Sequence, residues 1–432
     1  MKKATPWIAG IAVEACFVGM LVLGNLRQHV FLLLFGVAMT GYLFSIRYCG
    51  WIGWRGVVLF ALLFRLTLSI TTPTLSDDIY RYVWDARVQS SQINPYRFEP
   101  ESSHLSHLRD QEIFPRVNHP EIPTIYPPFA QALFLASYKI HPSVWSIKAA
   151  MLLSEAILAW FLLGLIRLYD QHPGQLLIFL WNPLLVVEVA GSGHVDILGI
   201  TFLIVALLYA QIGGYGRAFG ALAISCLSKN FAICLVPIFW RWMCTRQGGD
   251  SSSSRIGLML SPRRAWPVLV FAAIMLVGYV PFMGAGKGLF AGLLTYAEHW
   301  EFNAPFFDSA RFIFGATIAR GLIALAFCTA VVLITIGRMP PVQAGYYLTG
   351  LFIWLSPTLH PWYVLWILPF LVFYRSAAWL VFSGLIAISY VVPIRFAAEG
   401  VWVEEFWVKV IPFGGFGLTW LWFWWKDRTA AD

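Results

Sequence analysis

Apolar residues occur in long unbroken runs along most of the chain. The runs lie near residues 7–24, 29–46, 55–71, 127–141, 145–167, 176–190, 195–210, 218–240, 266–283, 309–336, 343–357, 361–374, 376–393 and 406–425. They are continuous, whereas the strands of an outer-membrane barrel alternate between apolar and polar residues. The pattern therefore predicts an all-α polytopic integral membrane protein with about 11 to 14 transmembrane helices.

Some runs leave this count open because they are shorter than a full span. The pair 127–141 with 145–167, and the pair 176–190 with 195–210, could each contain a half-helix or a re-entrant segment. The first run follows two lysines, as in a signal peptide. Since no small-residue cleavage site follows it and a second apolar run begins soon after, we expect it to be retained as the first helix.

The composition supports a membrane protein. Apolar residues make up 59% of the chain and charged residues only 12%, whereas soluble proteins carry about 25% charged residues. The net charge of +8 is explained by basic residues in cytoplasmic loops, so we expect a lipid bilayer and no nucleic acid as partner. The cysteines are scattered without a CxxC pair, which argues against a disulfide framework and a zinc site.

The distribution of Lys and Arg predicts the orientation, because basic residues concentrate in cytoplasmic loops. An alternating path with both termini inside places these residues in the cytoplasm: Arg47, Arg55, Arg241, Arg246, Arg255, Arg263, Arg264, Arg338, Arg375, Lys426 and Arg428. Residues 244–265 are then a cytoplasmic linker, flexible over the Gly- and Ser-rich stretch 248–254. The same path places four loops outside: 72–126, 284–308, 358–360 and 394–405.

The first outer loop is the one large polar insert, and loops of this length are often functional. It begins with a predicted helix over about 77–90, which follows Pro73 and has Ser76 as its N-cap. Asp77 and Asp78 occupy the first turn, where the helix dipole favours negative charge. They either cap this helix or supply carboxylates for chemistry beside the end of a membrane helix.

Other polar residues of the outer loops are further candidates. Arg81 and Asp85 share one helix face with Asp77. Tyr126 precedes two prolines, which predict a helix start at the interface, with stacking of the tyrosine on a sugar as the alternative. His360 lies between two apolar runs, where it either belongs to a turn fixed by two prolines or donates to a phosphate and assists a base.

The motifs of this loop and of later segments resemble the GT-C superfamily of glycosyltransferases. Within it, the chain looks most like bacterial polyprenol-phosphate-mannose-dependent mannosyltransferases of the family 87 type, from about residue 55 to the end. The residues that carry the resemblance are Ser76 through Asp85, Asn94-Pro95-Tyr96, Tyr126-Pro127-Pro128, Trp181-Asn182-Pro183, Gly191 through Asp196, Ser228-Lys229-Asn230 and His360-Pro361-Trp362-Tyr363. Ala86 and Val195 depart from the expected Gly and Asn.

The resemblance implies one transmembrane glycosyltransferase domain over 1–432 and an inverting transfer at the outer face. A single sugar, mannose being favoured, would move from a polyprenyl-phosphate donor to a hydroxyl of a glycan, a lipid-linked glycan or a protein. The family's acidic base matches Asp77, with Asp78 as the alternative or its partner. We expect no resident cofactor, and a divalent cation is left open.

The departing phosphate needs cations or N–H donors. One candidate is Lys229, which lies within an apolar run; the alternative for it is a buried ion pair. Arg311 and Arg395 lie next to outer loops, and the alternative for both is ordinary snorkelling at the membrane interface. His194 and Asp196 lie in a turn that the alternating path puts inside, away from Asp77. They reach the active side only if 176–190 is re-entrant.

Two other functions fit the same charges. A transporter or flippase of lipid-linked sugars would bind its substrate in such a cavity without catalysis. The absence of a visible internal repeat argues against it, because many transporters are built from repeats. A ligase that moves a whole glycan from a polyprenyl diphosphate would use similar residues.

Overall fold

The computed structural model describes residues 4–23, 29–247 and 262–429, and the predicted flexible stretch 248–254 lies outside them. In order, the helices are α1 (Thr5–Val22), α2 (His29–Ile46), α3 (Trp54–Ser69), α4 (Asp78–Ser90), α5 (Pro128–Ile140), α6 (Val144–Leu168), α7 (Leu176–Leu180), α8 (Pro183–Val186), α9 (Asp196–Gln211), α10 (Tyr215–Ser228), α11 (Val236–Gln247), α12 (Pro262–Tyr279), α13 (Ala291–His299), α14 (Pro305–Phe314), α15 (Ala316–Ile336), α16 (Pro341–Leu355), α17 (Ala377–Leu385), α18 (Val391–Glu399) and α19 (Phe406–Thr429).

The described residues confirm an all-α polytopic membrane protein, since they form helices and no named strand. Within the described residues, seven helical segments are long and apolar enough to cross a membrane, or eight if one bent pair is counted as a span. Several other apolar helices, among them α5, α9, α10 and α16, are shorter than a span. The predicted 11 to 14 spans include such short helices, so that number stays a prediction.

The most apolar helices carry their large side chains on the outside of the bundle. In α15 only 6% of the most apolar window is buried, and Leu325, Val332 and Leu333 point outward. Such a surface is costly in water but not in hydrocarbon, where each backbone N–H and C=O is satisfied within its own helix. This helix therefore faces lipid over most of its circumference.

The helical segment after α6 is broken. A break is expected if the run 176–190 contains a half-helix or a re-entrant segment. Residues Pro173–Leu180 and Pro183–Gly191 are bent by 62°. Pro183 starts a new helix after Asn182, whose side chain accepts the N–H of Leu184. Val187–Gly191 then forms a single π-helical turn, a feature that often occurs at functional sites.

A buried polar network fastens the long loop 72–126 to the bundle. Asp85 accepts hydrogen bonds from Arg81 (2.9 Å), from Gln131 on α5 (2.8 Å) and from Thr124. Arg81 also donates to the carbonyls of His119 and Ile122, at 3.3 and 2.8 Å. Since every one of these groups is buried or half-buried, the network fixes the end of the loop against the helix α4 that begins it.

A second contact orders the middle of the loop. Asp110 pairs with Arg87 at 2.6 Å and accepts the N–H groups of Ile113 and Phe114. Partial burial alone would raise the pKa of Asp110, but these partners outweigh it and lower the pKa to about 2. The loop is therefore a folded unit on α4 and α5.

Asp85→Asn is expected to lower the thermal unfolding temperature by about 5 °C, because it leaves the buried Arg81 guanidinium without its charged partner. Unfolding of the purified protein in detergent measures this. The exposed Asp170→Asn is the matched control and should leave the temperature unchanged. Equal temperatures for wild type and Asp85→Asn would contradict a structural role for Asp85.

Candidate functional site

One large cavity, with a volume of about 690 Å³, lies between the long loop and the later outer segments. Its wall includes six residues that the sequence singles out: Asp77, Asp78, Arg81, Tyr126, Lys229 and His360. They come from the start of α4, the end of the long loop, the end of α10 and the turn before Pro361. The fold thus brings together residues separated by almost 300 positions.

The two aspartates lie at the start of α4, half-buried at the cavity wall. The helix begins at Asp78, one residue later than predicted, and Asp77 rather than Ser76 is the N-cap. The Ser76 hydroxyl still accepts the N–H of Asp78, at 3.3 Å. Asn118 donates its side-chain amide to Asp78, at 2.6 Å. The helix start therefore presents two adjacent carboxylates to the cavity, one of them oriented by an amide.

The turn after the broken helix also reaches this site. His194 Nδ1 lies 3.7 Å from Asp78 Oδ2, and His194 Nε2 lies 3.2 Å from Glu188 Oε2. Counting loops put this turn on the opposite side from Asp77 unless 176–190 was re-entrant. The segment is bent by 62° at a break, as in a broken span or a re-entrant loop, and the turn lies beside the aspartate pair. Re-entrance itself stays a prediction.

Aromatic rings connect His194 to His360. Trp362 stacks on His194 with ring centroids 4.0 Å apart, and on His360 with centroids 4.3 Å apart. Phe302 covers the other side of His360, at 4.8 Å. Two backbone hydrogen bonds hold Phe302 against residues 357–359. The N–H of Phe302 donates to the carbonyl of Pro357, and the N–H of Leu359 donates to the carbonyl of Phe302. The turn around His360 is therefore fixed by stacking as well as by the predicted prolines.

His360 is neutral at physiological pH in this environment. Burial, together with the positive charges of His194 and Lys229, lowers the pKa of His360 to about 3. A neutral imidazole carries one N–H and one free lone pair. His360 can thus donate a hydrogen bond to an anionic oxygen, but it does not supply a positive charge.

Lys229 supplies the positive charge on this wall of the cavity. Its Nζ lies 3.3 Å from Asp196 Oδ2, while Asp196 Oδ1 accepts the indole N–H of Trp366 at 2.8 Å. The ammonium also faces the rings of Tyr363 and Tyr126, at 5.3 and 5.9 Å. It is partly exposed to the cavity, so it can approach an anionic ligand while Asp196 holds it.

Five predicted site residues are not on the cavity wall. Two of them lie behind it: His194 next to Asp78, and Asp196 next to Lys229. Asp85 is buried in the network beneath the loop. Arg311 pairs with Glu301, which also accepts a hydrogen bond from Arg320 at 2.9 Å. Arg395 pairs with Glu405 at 2.6 Å. Their assignment as substrate-binding residues stays a prediction, and Glu301 is the member of these pairs that reaches the cavity wall.

Other residues of the site were not among the sequence candidates. The cavity wall also includes Asn118, Tyr296, Trp300, Glu301 and Trp362. Glu188 lies behind the wall, next to His194. A carboxylate inside an apolar run is a signal for function, whereas the aromatic residues are indistinguishable in sequence from the many others that face lipid.

Among the residues that the structure describes, no group of three or more His, Cys, Asp or Glu side chains is arranged to hold a metal ion. The carboxylates of the site are instead matched with an amide, an imidazole and an ammonium. The arrangement can bind a polar ligand with a negative charge near Lys229 and a hydroxyl near the aspartates.

The comparisons with known proteins add a family to this geometry. A family model described as the N-terminal domain of alpha-(1->6)-mannopyranosyltransferase, MptA_B family, matches residues 5–246, more than half of the chain. The chain belongs to this family. The match confirms the resemblance to mannosyltransferases. Searches of curated proteins and of solved structures gave no match. The matched range contains the aspartate pair and Lys229 of the cavity wall, and Glu188 and His194 behind it.

Gly193→Ala tests the packing that delivers His194 to this wall. Gly193 has a φ of +74°, and a Cβ there would lie 2.7 Å from the Ile79 side chain. Gly213 has a φ of +81° but open space around it. Gly213→Ala should therefore cost about 1 to 2 kcal/mol of backbone strain, and Gly193→Ala more. Thermal unfolding of the two variants in detergent measures the difference; equal losses would contradict a close contact at Gly193.

Proposed function

We propose that the protein is an inverting GT-C glycosyltransferase that moves mannose from a polyprenyl-phosphate donor to an acceptor hydroxyl. The observation that carries the proposal is the single cavity in which two carboxylates, a lysine and a neutral histidine face one another within a membrane protein of a mannosyltransferase family. The reaction needs a base for the acceptor and positive charge for the departing phosphate, and both are present on its walls.

In the proposed step the acceptor oxygen attacks the anomeric carbon while the bond from that carbon to the phosphate oxygen breaks. Asp77 takes the hydroxyl proton, and Asp78 beside it shares the position or replaces it. Lys229 stabilises the negative charge that develops on the leaving phosphate, and His360 donates its N–H. A carboxylate that accepts a proton and a cation that stabilises the leaving group account for both ends of the displacement.

The family description also constrains the substrates. If the product linkage is α-(1→6), as in the family name, an inverting displacement requires a β-linked donor. The acceptor atom is then the primary hydroxyl of another mannose in a glycan, free or lipid-linked. Tyr126, Tyr296, Trp300 and Trp402 on the cavity wall offer aromatic faces on which sugar rings pack.

The location follows from the donor. A polyprenyl chain stays in the bilayer, so its phosphate lies at the membrane surface and the cavity must be reached from there. We place the protein in a bacterial inner membrane with its cavity on the periplasmic side and both termini in the cytoplasm, as the distribution of basic residues favours. No resident cofactor takes part in the proposed step.

Asp77→Asn should reduce transfer by a hundredfold or more, because an amide cannot accept the hydroxyl proton; a general base contributes roughly a hundredfold to ten-thousandfold. The measurement is transfer from radiolabelled polyprenyl-phosphate mannose in membranes that express wild type or variant, with and without a chelator. Loss in Asp78→Asn but not in Asp77→Asn would move the base by one residue. Full transfer by both variants would contradict this mechanism.

The same assay separates the other functions. Label that moves to a new product with wild type alone establishes an enzyme, and the product identifies the acceptor. No transfer from any polyprenyl-phosphate sugar, but movement of the donor across sealed vesicles, would favour the flippase. Transfer of a whole glycan from a polyprenyl diphosphate would favour the ligase.

Lys229→Ala should weaken binding of the polyprenyl-phosphate donor about tenfold or more, since a charge-assisted contact with phosphate is lost. Donor binding to purified protein is measured by titration, and Asp77→Asn should retain wild-type affinity. The exposed Lys139→Ala is the control for loss of a positive charge. Unchanged donor affinity in Lys229→Ala would assign this lysine to the ion pair with Asp196 alone.

A further inference from the structure

Glu188 is a fully buried carboxylate that the proposed transfer does not use. Its side chain has 0% exposure, and His194, with 1% exposure, lies between it and the cavity. The imidazole faces Glu188 through Nε2, at 3.2 Å, and Asp78 through Nδ1, at 3.7 Å. These three residues, Glu188, His194 and Asp78, form a row that runs from the protein core to the cavity wall.

The row answers an electrostatic difficulty at the proposed base. Asp77 and Asp78 are neighbours in the chain at the start of α4, and two negative charges so close to each other repel. A carboxylate acts as a base only in its ionised form. A positive charge behind the pair offsets the repulsion. Lys229 and Arg81, which also line the cavity, are already paired with Asp196 and Asp85.

We propose that Glu188 and His194 are positioning residues: Glu188 holds His194 as an imidazolium, and the imidazolium keeps the aspartate pair ionised for its role as base. The inference rests on the proposed function, because it assigns the pair that the transfer needs. Neither residue touches the reacting atoms; both act through Asp78.

The surroundings of His194 favour the charged ring. Burial by itself would lower the pKa of His194, but the charges of Glu188, Asp78 and Asp196 outweigh burial and raise the pKa above its ordinary value. Trp362 covers the ring face at 4.0 Å, and an indole attracts a cation above its face. The backbone N–H of His194 donates to the carbonyl of Glu188 at 3.0 Å, which fixes the spacing between the two residues.

Other titratable groups surround the row from every neighbouring element and contribute to its field. They are Asp77, Arg81 and Tyr82 of the α4 region, Tyr126, Lys148 of α6, Asp196, Lys229, Tyr296, His360 and Tyr363. Because these groups stay in place when only Glu188 or His194 is changed, a shift in such a variant reports the row itself.

The test is the pH dependence of kcat/KM for mannosyl transfer by the full-length protein. In Glu188→Gln the acidic limb should move to higher pH by about one unit, since an opposite charge within reach shifts a carboxyl pKa by roughly one to three units. At pH values below the acidic limb, kcat/KM of Glu188→Gln should be about tenfold lower than that of wild type. At high pH the two values of kcat/KM should be equal. The exposed Glu112→Gln is the matched control and should keep the wild-type profile.

His194→Gln provides the second variant, with the exposed His107→Gln as its control. It should move the acidic limb in the same direction, and the double variant should add little, because both changes remove the same charge. Detergent unfolding of each variant separates a charge effect from loss of fold. A lower rate at every pH with the limb in its wild-type position would show a merely structural role and overturn the proposal.

A readout that needs no activity separates this inference from the proposed function. In protein labelled at its histidines, the NMR signal that disappears in His194→Gln is that of His194. Glu188→Gln should lower the pKa read from this signal. An unchanged pKa would overturn the inference whether or not mannose is transferred. Absence of transfer by wild type would overturn the proposed function alone.

Discussion

The placement of charge in a low-dielectric interior is the constraint on which the site depends. Glu188 lies without any exposure among apolar side chains, where an unpaired carboxylate would cost several kcal/mol. His194 is the partner that makes its burial tolerable, and it reaches Glu188 because one π-helical turn and a glycine with positive φ reverse the chain between them. The same reversal brings the other ring nitrogen to Asp78. The same histidine therefore accompanies the buried Glu188 and lies next to Asp78 at the cavity.

The broken segment explains why the cavity has polar walls although the bundle around it is apolar. An unbroken helix through 173–191 would carry the 188–196 turn past the aspartates. The segment instead bends by 62° after Leu180, and the turn that follows it contacts the start of α4 through Asp78 and Ile79. Irregular backbone in a membrane protein is tolerated when it lies within protein or lines a cavity. The described surroundings of this turn, from Ile79 and Lys148 to Trp362, fulfil that condition.

The sequence predicted the parts of this structure that depend on local pattern. Continuous apolar runs gave the helical membrane fold, Pro73 and Pro127 bounded the long loop, and the Ser76–Asp78 stretch gave α4 to within one residue. Spatial partners were harder to predict. Asn118 and Asp78 are 40 positions apart, and nothing in their spacing indicates the contact. Likewise, side counting assumes that each run crosses the membrane once, and the bend between Leu180 and Pro183 is a feature that this assumption does not include.

The difference between Asp85 and the Asp77–Asp78 pair shows why residue type alone does not identify a site. All three acids lie on one short helix, and Asp85 shares a face with Asp77. Asp85 is matched by Arg81, Gln131 and Thr124, which use its acceptor capacity within the protein. Asp78 accepts a hydrogen bond from the Asn118 amide, has an imidazole nitrogen 3.7 Å away, and still lines the cavity. A carboxylate that is oriented by its neighbours and open on one side can exchange a proton with a ligand, whereas one whose oxygens are enclosed by donors stabilises the fold.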